Sequence, residues 1–143
     1  MKKTEIQKFR IDVISDRTSV LSMLVCRDGT LGRQGSGKLS ADGVSVLGAS
    51  DGSVFNSLIG LLDERIFPHA EVYDHPDKTG VPVVYSVVFL GRDQETAVFE
   101  FRFGSETRDV GELLPFFDGF IAQAVALSDN WYAEGKAGVP ANV

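Results

Sequence analysis

The chain has 143 residues, 43% apolar and 24% charged, proportions that exclude a disordered or fibrous protein. Fourteen basic against twenty acidic residues leave a net charge of −6, which argues against nucleic acid or an anionic membrane as a main partner. No apolar run nears the roughly 20 residues that cross a bilayer, and one domain of this length buries about two thirds of its unfolded surface.

The chain opens MKKTEIQKFRID, two lysines with no apolar core behind them, so no secretory signal is expected. Lys8 to Val13 alternates charged and apolar residues, which places Phe9, Ile11 and Val13 on one face of a strand. Val20 to Cys26 is apolar on both faces except at Ser22, the pattern of a central strand. Asp28-Gly29 is a hairpin signal and Thr30 to Arg33 a brief return, weakened by the glycines at 32, 35 and 37. Gly43 to Gly48 is a further short strand candidate.

A helix is expected next. Val54, Phe55, Leu58, Ile59, Leu61, Leu62 and Ile66 recur at three- and four-residue spacings, with Asp51 or Ser53 as N-cap and Pro68 as the stop. His69 to Pro82, with two prolines, a glycine and several acids, reads as a loop. Val83 to Leu90 is apolar on both faces apart from Ser86, and Glu95 to Phe103 returns antiparallel with Ala97, Phe99, Phe101 and Phe103 on one side. The last helix is expected from Gly111 to Leu127, with Pro115 tolerated in its first turn. The domain is expected to span 1–132, with a mobile tail from 133 to 143.

The order β-β-β-(β)-α-β-β-α predicts an α+β fold: an antiparallel sheet of about five strands with two helices packed on one face. Six of the ten phenylalanines fall on the last strand and last helix, the expected core seam.

No coherent catalytic set stands out, and the protein is expected not to be an enzyme. Gly32 to Lys38 matches the start of the phosphate-loop pattern, but Leu39 sits where the metal-binding hydroxyl belongs and no helix pattern follows. Arg27, Arg33 and Lys38 remain as an anion-tolerant turn. His69 and His75, six residues apart across a loop, do not have metal-ligand spacing. They and the three cations are the candidate ligand-binding residues, provided that loops 27–38 and 69–82 meet. Cys26 beside Arg27 reads as a small buried residue with a slightly lowered pKa. Trp131 and Tyr132 are the candidate partner-binding residues. No cofactor or metal is expected.

DGTLGRQGSG at 28–37 and FGSET at 103–107, followed by a helix ending SDNWY, resemble a group of small bacterial proteins of unassigned function. The resemblance covers most of residues 20–132 and implies a bacterial, cytoplasmic protein with no catalytic assignment. The element order is also similar to that of small acidic secretion chaperones, which dimerise, although those begin with a helix and this chain with a strand. The expected function is a non-catalytic protein-binding accessory module, toxin-neutralising or chaperone-like, whose acidity suits a basic partner. A homodimer is the other expected assembly. The alternative is a small-ligand or anion binder, or an enzyme, built from the two loops.

Overall fold

The computed structural model describes residues 1–37 and 43–138. It is a mixed α+β fold with one seven-stranded sheet, where about five strands were expected. The strands are β1 (Lys8–Ser15), β2 (Thr18–Cys26), β3 (Leu31–Gly35), β4 (Ser45–Gly48), β5 (Val72–Asp74), β6 (Pro82–Leu90) and β7 (Thr96–Gly104). Across the sheet the order is β4-β3-β2-β1-β6-β7-β5, antiparallel except for β5, which runs parallel to β7. Two α-helices, α1 (Ser53–Leu61) and α2 (Leu113–Ala137), accompany it.

The alternation of β1 sets the register of the whole core. Phe9, Ile11 and Val13 pair laterally with Val25, Met23 and Leu21 of β2 and with Phe89, Val87 and Tyr85 of β6. From β6 the same face continues to Ala97, Phe99 and Phe101 of β7. Both helices close this face: Phe55 of α1 and Phe120 of α2 lie 5.9 and 5.6 Å from the ring of Phe9. All ten phenylalanines belong to this cluster or pack against it, so the expected seam between β7 and α2 is half of a larger aromatic core.

β5 falls inside the expected loop 69–82, whose prolines, glycine and acids are breakers of local structure. Pairing with β7 makes it a strand all the same, through Val72–Glu100, Tyr73–Phe101 and Asp74–Arg102. Helix α1 ends early. Leu62 is extended (φ −76°, ψ 142°), and a separate 3-10 turn over Glu64–His69 contains Pro68. The N-cap of α1 is Gly52 in the left-handed conformation, in place of the expected Asp51 or Ser53, and Asp51 accepts from the Ser53 amide at 2.9 Å in the turn that leads in. The β1–β2 hairpin turns on Asp16 and Arg17, both with positive φ, a primed turn built without glycine.

Helix α2 runs ten residues past Leu127, through residues 133–137 that were assigned to the tail. Ser128, Asp129 and Asn130 read as an ending, yet the Ser128 hydroxyl donates back to the Ala124 carbonyl at 2.6 Å and the helix continues beneath it. Gly135 lets it pass β4, since a Cβ there would stand 2.3 Å from Val46 Cγ1.

Gly35 ends β3 at φ +93°, and a Cβ would lie 2.3 Å from the Val20 carbonyl oxygen. Gly35→Ala is therefore expected to cost about 2–4 kcal/mol, seen as a lower urea midpoint at unchanged m. Tyr85 supplies a second test. Its hydroxyl meets Asp118 of α2 at 3.2 Å, and burial, with Asp118 second, pushes its pKa from 10.0 to about 12. Between those values the unfolded chain loses the proton that the folded chain keeps, so stability falls as pH rises through that window. Tyr85→Phe is expected to remove this part of the alkaline loss, measured by urea melts at stepped pH.

Candidate functional site

The candidate residues do not converge. β3 and β5 are separated by four strands, about 24 Å at ~4.8 Å per strand spacing, so residues 27–37 and 69–82 lie toward opposite edges of the sheet and, among the described residues, build no shared site. Lys38 lies outside the described residues.

Arg33 is the largest departure from expectation. It pairs with Met23 on the inward face of the sheet, where its side chain is 2% exposed. Its Nε donates to the Gly35 carbonyl at 2.9 Å, and Nη1 reaches Val125 O (3.2 Å), Ser128 Oγ (3.0 Å) and Asp129 Oδ1 (2.8 Å) on α2. The guanidinium sits 4.5 Å from the Tyr132 ring centroid, within cation–π range. Tyr132 is itself buried, donating to the Val44 carbonyl at 2.5 Å and accepting from the Gly35 amide at 3.1 Å. Arg33 and Tyr132 are thus corrected from ligand and partner contacts to internal members of one polar cluster. The string that resembled a phosphate loop is a strand end tied to a helix.

Arg27 is spent in a similar way. Its Nε donates to Ile6 O at 2.8 Å and Nη2 to Lys3 O and Thr4 O, while its guanidinium lies 4.9 Å from the Phe55 ring. It therefore fastens the N-terminal segment instead of tuning Cys26. The Cys26 thiol is pushed up by burial and then by Asp28, with Lys8 opposing, the reverse of the expected lowering and unfavourable to thiolate chemistry. Trp131 is partly buried and donates from Nε1 to the Ala49 carbonyl at 3.0 Å, joining α2 to the loop after β4.

The two histidines separate as well. His69 ends the 3-10 turn and its carbonyl accepts from the Tyr73 hydroxyl. His75 follows β5 and holds Asp77 through Nδ1, 3.0 Å from that residue's amide. The FGSET stretch explains why this loop stays in place. Thr107 Oγ1 donates to Asp77 O at 2.8 Å, Val81 N donates to Ser105 Oγ at 2.9 Å, and Gly104 gives the loop room, since a Cβ would lie 2.1 Å from Thr79 O. Between this loop, β7 and the start of α2 is a cavity of about 320 Å³ that includes Tyr73, His75, Phe101 and Leu114.

The opposite face of the sheet carries no helix contact among those described above. Register places one row across it: Leu47, Gly32, Leu24, Arg10, Val88 and Val98. Leu47 is 70% and Val98 37% exposed. The adjacent row is polar, Ser45, Gln34, Ser22, Asp12, Ser86 and Glu100. Arg10 pairs with Asp12 at 2.9 Å and Arg102 with Glu100 at 2.6 Å, so the charges within and beside these two rows pair on the face itself, while Lys8 stands exposed at its end. The alternation of β1, β2 and β7 carried this signal, but strand order was needed to align it.

Comparison with protein-family models, curated proteins and solved structures gives no match. Among the described residues no group of three or more His, Cys, Asp or Glu could hold a metal ion, and no helix is long and apolar enough to cross a membrane.

The Arg33 cluster has a measurable signature. Asp129 is 59% exposed while its partner is buried, so Asp129→Asn leaves a buried cation with neutral acceptors only. The expected cost is about 2 kcal/mol in the native chain and near zero in an Arg33→Met background. Urea melts of the four-member cycle check this, and equal costs in both backgrounds would remove the pair from the account.

Proposed function

We propose that this chain is a non-catalytic binding module that meets a basic partner protein through the helix-free face of its sheet. The role is that of an accessory protein, toxin-neutralising or chaperone-like. The observation that carries the reading is the row of Leu47, Leu24, Val88 and Val98, exposed at its two ends and interrupted only by Gly32 and by Arg10, whose charge is paired with Asp12. Covering such a row gains the hydrophobic term without stranding a buried charge. Several reactive-looking side chains support the same reading, because Arg27, Arg33 and Tyr132 are committed to the fold.

The partner's chemistry follows from charge. A net of −6 attracts a basic protein at long range and speeds encounter, while the neutral apolar row supplies the contact. A second copy of this chain would meet the same net charge as repulsion.

The test compares tagged wild-type protein with Leu47→Lys/Val98→Lys and with Leu61→Lys, an exposed control on α1. Thermal melts confirm that each is folded. A basic protein captured near stoichiometry by wild type and Leu61→Lys, released by half-molar salt and lost from the double variant is the expected result. Undiminished capture by the double variant, a homodimer with nothing bound, or no capture at all overturns the proposal.

A further inference from the structure

The cavity at the other end of the molecule has a chemistry of its own. Its floor is the Tyr73–Phe101 pair, stacked with ring centroids 5.1 Å apart and planes 7° from parallel. Phe103, Val110 and Leu114 add apolar wall. At about 320 Å³ the space lies at the small end of ligand cavities, room for one ring system with a short side chain. The wall at Tyr73 to His75 is held by β5 pairing with β7 and by the His75 amide donating to the Arg102 carbonyl at 3.0 Å, and the 77–81 loop that follows is fastened by Thr107 and Ser105.

The charges at its rim select the ligand's sign. Asp74 is paired with Lys78 at 2.6 Å, and Arg102 with Glu100 at 2.6 Å. Asp109 also lines the cavity and has no ion pair among the described residues. One unneutralised carboxylate beside stacked aromatic faces favours a cation, through direct attraction and through the ring quadrupoles. We infer that this cavity binds a small aromatic ammonium compound, its ring against Tyr73 and Phe101 and its ammonium toward Asp109. His75, held through Nδ1 by Asp77, leaves Nε2 for a further polar atom of the ligand. The site is independent of the helix-free sheet face.

Isothermal titration with 2-phenylethylammonium tests this, with 3-phenylpropanoate as a probe of similar shape and opposite charge. Wild type is expected to bind the ammonium probe saturably at one site and the carboxylate not at all. Asp109→Asn, an exposed position, is expected to weaken binding about fivefold. Val110→Trp, which fills the space, is expected to abolish binding, and the sheet-face variant Leu47→Lys/Val98→Lys to bind as wild type does. The Gly111 amide resonance should shift with the ammonium probe. No binding, equal binding of both probes, or an Asp109→Asn variant that binds as wild type overturns the inference. If Val110→Trp does not fold, Asp109→Asn and the probe pair still decide it.

Discussion

A buried arginine organises this molecule. Arg33 stands on the inward face of β3, where its neighbours across the strand are apolar, and an unpaired guanidinium there would be prohibitively costly to desolvate. Its requirements dictate what lies above it. Val125, Ser128 and Asp129 must present oxygens from α2, and Tyr132 must offer its ring face. Helix α2 therefore cannot end at Leu127. Its long second half exists where β3 and β4 need a roof, and Gly135 is small because Val46 lies against it. One polar cluster thus fixes the angle and length of the main helix over one half of the sheet.

The other half is held by aromatic packing instead. Phe99 and Phe117 approach to 4.8 Å, and Phe89, Phe99 and Phe67 meet at edges and tilts, geometries that suit ring quadrupoles. Non-directional apolar packing sets depth and density, whereas the Arg33 cluster sets orientation, because its donors point in a planar fork. The two halves meet at Phe9, which touches Phe55, Phe89 and Phe120.

This division leaves two surfaces for function. Both helices close one side of the sheet, so the other side retains a largely apolar row in which Arg10 is paired with Asp12. β5 pairs with β7, the His75 amide donates to the Arg102 carbonyl at 3.0 Å, and Thr107 and Ser105 hold the 77–81 loop that follows, so that a cavity stands beside the first turn of α2. Neither surface uses the residues that looked most reactive in the sequence. Arginines near glycine-rich turns suggest anion binding, but a guanidinium can equally serve as an interior bracket, and only its surroundings distinguish the two.

Periodicity made much of the fold legible. The alternation in β1 and β7, the apolar β2 and β6, and the spacing of Phe117, Phe120, Ile121 and Ala124 each record a local burial requirement, and each element formed where expected. The boundaries that shifted were those where polar residues found partners far along the chain. Ser128 and Asp129 looked like a helix end because the donor that both accept from, Arg33, lies on β3, more than ninety residues away. β5 looked like loop because its strand hydrogen bonds come from β7. Asp16-Arg17 gave no turn signal, since the usual residue with positive φ is glycine.

The sequence by itself determined the class of fold, the inward faces of β1 and β7 and the aromatic core, because side-chain period and apolar content are properties of the local chain. Tertiary structure alone decided strand order, the burial of Arg33, the separation of the two loops and the alignment of Leu47, Leu24, Val88 and Val98 into one row. Each depends on contacts between residues distant in the chain, whose energies leave no local pattern to read.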